Sequence, residues 1–213
     1  MQQNIKGIIF DYGGVISYPQ NEVYIGKIMR ILNLNDPESF QNAYRFFRVE
    51  YDSGLISGIE FWARLIEHFG LSLTREQIQG LIELDVLSWT VINQETIEYI
   101  KDLQTKRIKL AVLSNMICDA LRYIEQNHNW LNYFEHRFFS CDLQMCKPQL
   151  AIYKHCLDEM GLEPNECLFI DDTQENLDGA ARYGINTLRF ESVELLRKSL
   201  NLHIYLLRQE QFS

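Results

Sequence analysis

The sequence predicts an α/β fold in which a doubly wound parallel sheet carries an inserted helical domain. Four short apolar runs predict the strands of this sheet, at residues 7–10, 108–113, 167–170 and 185–190. None of these runs alternates polar with apolar residues, and continuous apolar runs are typical of strands buried on both faces. The segment 137–140 is a weaker fifth candidate.

Helical patterns fill the spaces between these runs. Apolar residues at helical spacing predict helices at residues 95–106, 117–128, 150–160, 176–183 and 193–208. Glycines follow two of these segments, as is common where a helix ends. From residue 94 onward strand and helix alternate, which predicts right-handed crossovers and a Rossmann-like sheet.

The stretch between the first two predicted strands has a different character. Residues 17–89 are rich in aromatic side chains and contain no convincing strand of their own. We therefore predict a helical insertion at 17–89, while residues 1–16 and 90–213 form the Rossmann-like core.

Composition narrows the function classes. The chain has 213 residues, a net charge of -9 and 46% hydrophobic residues. Its acidic field opposes binding to nucleic acid or to an anionic membrane surface. No apolar run reaches the roughly 18 residues of a membrane span, and the N-terminus lacks the apolar stretch of a signal peptide.

The cysteines indicate a compartment. There are five of them, and neither a Cys-x-x-Cys pair nor zinc-ligand spacing is present. An odd number of cysteines without such a framework predicts free thiols in a reducing environment. The cytoplasm is the simplest location for such a protein.

The most informative segment follows the first predicted strand. Asp11 ends the apolar run, and Gly13 and Gly14 come directly after it. Ligands of parallel sheets bind at the carboxyl ends of the strands, and glycine allows a tight turn and a close approach of the ligand. Taken alone, the segment is also compatible with a capping carboxylate and a turn.

Polar residues stand at comparable positions elsewhere in the chain. Ser114 and Asn115 follow the second strand, Lys147 precedes a helix, and Asp171 and Asp172 follow the third clear strand. Each of them alone is compatible with a helix cap or a surface charge. Two adjacent acids repel each other, however, unless a cation offsets their charge. Together these residues supply the nucleophile, hydroxyl, cation and metal-binding acids of a phosphoryl-transfer site.

In order and spacing, these segments resemble the four motifs of the haloacid dehalogenase superfamily. Asp11 resembles the nucleophile of the first motif and Ser114 the hydroxyl residue of the second. Lys147 resembles the lysine of the third motif, and Asp171 and Asp172 resemble the acid pair of the fourth. The resemblance covers nearly the whole chain, and the predicted insertion is similar to the family's small helical cap.

The resemblance implies a magnesium-dependent phosphatase that acts on a small phosphorylated metabolite through a phosphoaspartyl intermediate on Asp11. It implies that Lys147 neutralises the nucleophile and the phosphate together, and that Asp172 is the more direct metal ligand. The implied Mg²⁺ ligands are Asp11, the Gly13 carbonyl, Asp171 and Asp172. The implied phosphate contacts are Ser114, Asn115, Lys147 and Gly13, with Asn176 in support.

One position departs from the family pattern. Most phosphatases of the family carry a second aspartate two residues after the nucleophile, as general acid and base, and here that position is Gly13. General acid–base help is worth roughly 10²–10⁴-fold in rate. Tyr12, Tyr18 or a residue of the cap are alternative proton sources.

Three interpretations follow from Gly13. The first is a phosphatase whose substrate has a good leaving group, for example a sugar 1-phosphate. The second is a non-catalytic relative that binds a phosphorylated ligand or partner. The third is a 2-haloacid dehalogenase, which uses no metal and for which the pair Asp171 and Asp172 has no evident purpose.

Overall fold

The computed structural model describes residues 5–200, and it contains a parallel sheet of five strands in the order β3-β2-β1-β4-β5. The strands are β1 (Gly7–Phe10), β2 (Lys109–Ser114), β3 (His136–Phe139), β4 (Cys167–Asp171) and β5 (Asn186–Arg189). The predicted α/β class and its parallel sheet are confirmed, and the weaker fifth candidate is the edge strand β3.

Helices connect the strands and cover both faces of the sheet. Before β2 lie α1 (Glu22–Ile31), α2 (Pro37–Asp52), α3 (Gly58–His68), α4 (Arg75–Ser88) and α5 (Gln94–Gln104). After β2 lie α6 (Cys118–Asn127), α7 (Ser140–Leu143), α8 (Leu150–Met160) and α9 (Gln174–Arg182). Residues 193–200 are also helical, and the remainder of the predicted helix 193–208 lies outside the described residues.

The central strand β1 shows why continuous apolar runs are needed here. It pairs with β2 on one side and with β4 on the other, and all four of its residues are buried. Ile9 packs into one apolar cluster, which includes residues of α8 and α9. Ile8 and Phe10 pack into a second cluster, which includes residues of α5 and α6. Helices on both faces leave no position on this strand for a polar side chain.

The helices α1 to α4 begin at capping side chains. Each N-cap side chain accepts a hydrogen bond from a backbone N–H of the first turn, and these residues are Asn21, Asp36, Ser57 and Thr74. Such caps are worth about 1 kcal/mol each. The short polar segments between apolar stretches therefore fix where each helix starts.

Three contacts tie these helices to the sheet domain. The two connecting segments pair as an antiparallel bridge between Ser17 and Ile92. On the other side, the Tyr51 hydroxyl donates to Asp119 Oδ2 at 2.7 Å, and the Ser140 hydroxyl donates to the Asp52 carbonyl. The C-terminal end of α2 is therefore fixed above the ends of β2 and β3.

Two other features agree with the sequence. All five cysteines are free thiols. Within residues 5–200, no helix combines the length and the apolarity that crossing a bilayer requires.

We expect Ile9→Ala to lower the free energy of unfolding by about 2–5 kcal/mol, because it leaves a cavity at a fully buried site of the central strand. Urea unfolding of the two proteins measures this difference. Ile59→Ala is the matched control, since Ile59 is 43% exposed, and its effect should stay within about 0.5 kcal/mol. Equal losses in both variants would contradict the burial argument.

Candidate active site

The carboxyl ends of the strands form the floor of a cavity of about 480 Å³. Asp11 follows β1, Ser114 ends β2 and Asp171 ends β4, and parallel pairing brings these ends to one edge of the sheet. Residues that line the floor are Asp11, Gly13, Gly14, Ser114, Asn115, Lys147, Asp172 and Asn176. Residues of the helical insertion line the roof, among them Gln20, Gln41, Tyr44, Arg45, Arg48, Asp52 and Trp89.

A buried ion cluster occupies the centre of the floor. Lys147 Nζ lies 2.7 Å from Asp11 Oδ1 and 2.7 Å from Asp171 Oδ2. The three side chains are 1%, 9% and 0% exposed. Charges buried this deeply remain ionised only when they are paired, so each member of the cluster depends on the other two.

The backbone around Lys147 is held by Asn115. The Lys147 amide donates to Asn115 Oδ1 at 2.8 Å, and Asn115 Nδ2 donates to the Lys147 carbonyl at 3.0 Å. This reciprocal pair connects the loop before α8 to the end of β2. Asn115, which was predicted to contact phosphate, thus lines the cavity, while the oxygen and the nitrogen of its side-chain amide both bind the backbone of Lys147.

Asp171 is saturated with partners. Its Oδ1 accepts from the Thr173 amide at 2.8 Å, and Asn176 Nδ2 donates to both of its oxygens, at 3.2 and 3.0 Å. The Tyr153 hydroxyl donates to the Asn176 carbonyl at 2.8 Å and anchors that residue. The predicted supporting residue Asn176 therefore holds Asp171 in its orientation towards Lys147.

Asp172 has a different environment. It is half-buried and lines the cavity, and its carboxylate accepts a hydrogen bond from the Thr173 hydroxyl at 3.1 Å. Its carboxylate packs directly on Gly14, which has a φ of 74° and where a Cβ atom would overlap the carboxylate oxygens. Gly14 thus permits both the turn and the close approach, a role that the sequence indicated only in general terms.

Carboxylates gather at one point of this floor. Ligand oxygens of Asp11, Asp171 and Asp172 lie within 4.8 Å of one another. With Lys147 included, the group carries two more negative than positive charges when all its members are ionised. Carboxylate oxygens are the ligands that Mg²⁺ prefers, and a divalent cation would balance the excess charge. The residues present therefore fit a magnesium ion.

Burial perturbs the protonation of the floor. Burial raises the pKa of Asp11 to about 8, Lys147 opposes this rise, and the neighbouring Asp171 adds to it. Burial also raises the pKa of Asp172, with a further contribution from Asp171. Burial lowers the pKa of Lys147, but Asp11 and Asp171 more than offset that effect and raise it overall. The lysine therefore remains an ammonium ion, which favours the ionised form of Asp11.

Gly13 and Ser114 complete the floor. The Tyr12 amide donates to Asp11 Oδ1 at 2.7 Å and turns the chain away from β1. Gly13 follows in an extended conformation, with the Trp89 ring next to the place where a side chain would begin. The Ser114 side chain is buried and lines the cavity, and its described contact is a long hydrogen bond of 3.4 Å to the Asn115 carbonyl.

The roof contains a second ion cluster, which the motifs did not predict. Arg48 Nε lies 2.7 Å from Asp52 Oδ1, and its Nη1 lies 3.0 Å from Asp85 Oδ2. The Tyr44 hydroxyl donates to Asp85 Oδ1 at 2.6 Å. The spacing of Arg48 and Asp52 by four residues is a visible signal of an ion pair on a helix, although it does not indicate a cavity.

Comparisons with known proteins identify the family of the chain. The family model described as "Hydrolase: haloacid dehalogenase-like hydrolase" matches residues 5–184. Acyl-CoA dehydrogenase family member 10 of Mus musculus is 27% identical over 93% of this chain, which spans only 19% of that protein's length. D-ribitol-5-phosphate phosphatase of Bacteroides thetaiotaomicron is 24% identical, with 93% of this chain and 98% of that protein covered.

Solved structures have the same fold. A HAD family enzyme from Bacteroides thetaiotaomicron, solved as a magnesium complex, has a TM-score of 0.74 at 25% identity, covering 88% of this chain and 94% of that chain. The same enzyme in complex with magnesium and inorganic phosphate has a TM-score of 0.73 at 22% identity, with the same shares covered. Family match, fold and motif order agree: the chain belongs to the haloacid dehalogenase-like hydrolases.

Proposed function

We propose that this hydrolase is a magnesium-dependent phosphatase acting on a small phosphorylated metabolite. The observation that carries the proposal is the buried contact of Lys147 with Asp11, at the floor of a cavity next to Asp172. A lysine at this place neutralises an attacking carboxylate and a dianionic phosphate at once. The coverage of nearly the whole D-ribitol-5-phosphate phosphatase supports a phosphomonoester as the substrate class.

In the proposed reaction, an Asp11 oxygen attacks phosphorus and forms a phosphoaspartyl intermediate, which water then hydrolyses. Lys147 stabilises the negative charge of the transferred group through its ammonium ion. Ser114, whose hydroxyl lines the cavity, donates to a phosphate oxygen. Asn115 and Asn176 act by holding Lys147 and Asp171 in place.

Magnesium would be held by Asp11, the Gly13 carbonyl and Asp172, with Asp171 bound directly or through water. Asp172 is the stronger candidate for direct contact, because it has fewer partners than Asp171, whose oxygens already bind Lys147 and Asn176. When bound, the ion supplies positive charge that offsets the phosphate and the acid pair.

The residues of the roof favour a sugar or polyol phosphate as the substrate. The roof presents the amide of Gln41, the indole ring of Trp89 and the side-chain carbonyl of Gln20, whose Nε2 donates to Tyr44 and Ser88. Such groups donate to and accept from hydroxyls and provide a flat surface for a carbon chain. We propose that residues 17–89 form the cap that selects the substrate, and that 1–16 and 90–213 form the catalytic core. Free thiols support a site of action in the cytoplasm.

A dehalogenase is supported less well. The fold is also shared with L-2-haloacid dehalogenase from Xanthobacter autotrophicus, at a TM-score of 0.65 and 19% identity. A halide leaving group requires neither a metal nor a proton. Three carboxylates within ligand distance of one another are, however, favourable only where a cation compensates their charge.

We expect Asp11→Asn to abolish magnesium-dependent phosphate release, with kcat falling by about 10⁴-fold or more, because an amide cannot attack phosphorus. Phosphate release from p-nitrophenyl phosphate and from a panel of sugar phosphates measures the effect. Asp158→Asn, at an exposed pair on α8, is the control and should retain activity. Substantial turnover by Asp11→Asn would contradict the proposed nucleophile.

Asp172→Asn should raise the magnesium concentration needed for half-maximal activity by at least about tenfold, since it removes one charged ligand. Titration of activity with MgCl₂ gives this value directly. Asp142→Asn serves as the control, because Asp142 is exposed and does not line the cavity. An unchanged half-saturation concentration in Asp172→Asn would exclude this residue as a ligand.

Lys147→Met should lower the free energy of unfolding by about 3–5 kcal/mol in EDTA at neutral pH, because two buried carboxylates lose their partner. Burial already raises the pKa of Asp11, and Lys147→Met removes the ammonium ion that opposes this rise, so the folded variant binds more protons than the folded parent. The loss should therefore shrink as the pH falls from 8 towards 4. Urea unfolding across this range tests it, with the exposed Lys154→Met as the control. A loss independent of pH would contradict the electrostatic explanation.

A further inference from the structure

The position two residues after the proposed nucleophile supplies no proton donor, because Gly13 has no side chain. Expulsion of an alkoxide from a phosphomonoester needs a proton on the leaving oxygen, and hydrolysis of the acyl phosphate needs a base for water. A donor that performs both steps has to line the cavity and be free of another essential role there.

The two tyrosines that the sequence suggested do not meet these conditions. The Tyr12 hydroxyl donates to the Trp89 carbonyl at 2.7 Å, and burial raises the pKa of Tyr12 well above its usual value. Tyr18 is 51% exposed and is not part of the cavity wall. The Tyr44 hydroxyl donates to Asp85. None of these hydroxyls is available to a leaving group.

The carboxyl groups of the cavity wall leave one candidate. Among the described residues three aspartates line the cavity, Asp11, Asp52 and Asp172, and no histidine or glutamate does. Asp11 is the proposed nucleophile and Asp172 the proposed metal ligand, and both belong to the floor. Asp52 belongs to the roof, from which the leaving group of a substrate bound to the floor would be approached.

The position of Asp52 is fixed from two sides. Its side chain is 19% exposed and accepts from Arg48 Nε at 2.7 Å. Its backbone carbonyl accepts from the Ser140 hydroxyl, and Ser140 Oγ in turn accepts from the Met116 amide at 2.9 Å. Met116 lies two residues after Ser114, so a short chain of hydrogen bonds connects Asp52 to the floor.

The surroundings of Asp52 permit both protonation states. Burial raises the pKa of Asp52, Arg48 opposes the rise, and Asp85 on α4 adds to it. The thiol of Cys146, in the loop before Lys147, is a further titratable group that interacts electrostatically with Asp52. Two carboxylates share one guanidinium here, so the roof cluster is one positive charge short of neutrality when both are ionised.

We propose that Asp52 is the general acid and base of this enzyme and replaces the side chain missing at Gly13. The inference rests on the phosphatase function proposed above. In the first step Asp11 bonds to phosphorus, the bond to the leaving oxygen breaks with its electron pair, and the Asp52 proton moves to that oxygen. In the second step Asp52 takes a proton from water as the water oxygen bonds to phosphorus and Asp11 departs. Alcohol and inorganic phosphate are the products, and Asp52 is again protonated.

The test compares the full chain with Asp52→Asn on substituted phenyl phosphates, from p-nitrophenyl phosphate to unsubstituted phenyl phosphate, with MgCl₂ present. Asparagine keeps an acceptor for Arg48 but carries no proton to donate. We expect kcat/KM to fall about 10²-fold on phenyl phosphate and about tenfold or less on p-nitrophenyl phosphate, whose leaving group needs little help. Rapid quench should show a burst of p-nitrophenol, because the second step loses its base.

Three further variants separate catalysis from structure. Asp52→Glu should restore most of the activity on phenyl phosphate, since it returns a carboxyl group. Asp85→Asn leaves the cavity wall intact but removes a carboxylate that raises the pKa of Asp52, so the fall of kcat/KM on phenyl phosphate at alkaline pH should begin at a lower pH than in the parent chain. Glu50→Gln, exposed on the same helix, should match the parent chain.

Two outcomes would overturn the role of Asp52. The first is an equal fall of kcat/KM on both substrates in Asp52→Asn, which would make the residue structural. The second is a failure of Asp52→Glu to exceed Asp52→Asn on phenyl phosphate. A parent chain without magnesium-dependent turnover would overturn the phosphatase function itself, and the role of Asp52 with it, and this result is visible before any variant is made.

Discussion

The buried contact of Lys147 with Asp11 and Asp171 is the interaction on which the rest of the site depends. Removing such charges from water costs several kcal/mol each, and the cost is offset only when geometry and additional hydrogen bonds are favourable. The Tyr12 amide supplies such a hydrogen bond to Asp11, and Asn176 and the Thr173 amide supply them to Asp171, while Asn115 holds the Lys147 backbone. The apolar strands beneath exclude water and strengthen the pairing, which explains why the inner strands β1 and β4 are buried along their whole length and why acidic residues stand where they end.

Much of this arrangement could be predicted from the sequence, because it depends on short segments. The four apolar runs predicted the strands, and parallel pairing then required Asp11, Ser114 and Asp171 to meet at one edge. The edge strand β3 was the weakest signal, since two of its four residues are not buried and its apolar pattern is accordingly short. The run at 185–190 predicted the other edge strand, β5, although none of its four residues is buried.

The roof could not be predicted in the same way. Asp85 on α4 reaches Arg48 on α2 only in the folded helical domain, and no spacing in the sequence fixes that contact. The sequence also did not reveal the role of Asn115. An asparagine at this position could cap α6 or bind the backbone of Lys147, and only the structure shows that it does the latter. The partners of a side chain can be identified only from the structure when they lie on distant elements, even where the fold class can be predicted from the sequence.

Placing the proton donor on the roof has a consequence that a donor on the floor would not have. A carboxyl group two residues after the nucleophile moves with the nucleophile, so the chemistry is complete whether or not a cap covers the site. With Asp52 as the donor, proton transfer requires α2 to be seated over the strand ends, and the contacts of Tyr51 with Asp119 and of Ser140 with Asp52 are what seat it. Leaving-group departure is then coupled to the fit between substrate and roof. A substrate that binds the floor but prevents the roof from packing over it is exposed to the nucleophile Asp11 without the acid Asp52. The cap then selects substrates through the rate of the chemical step.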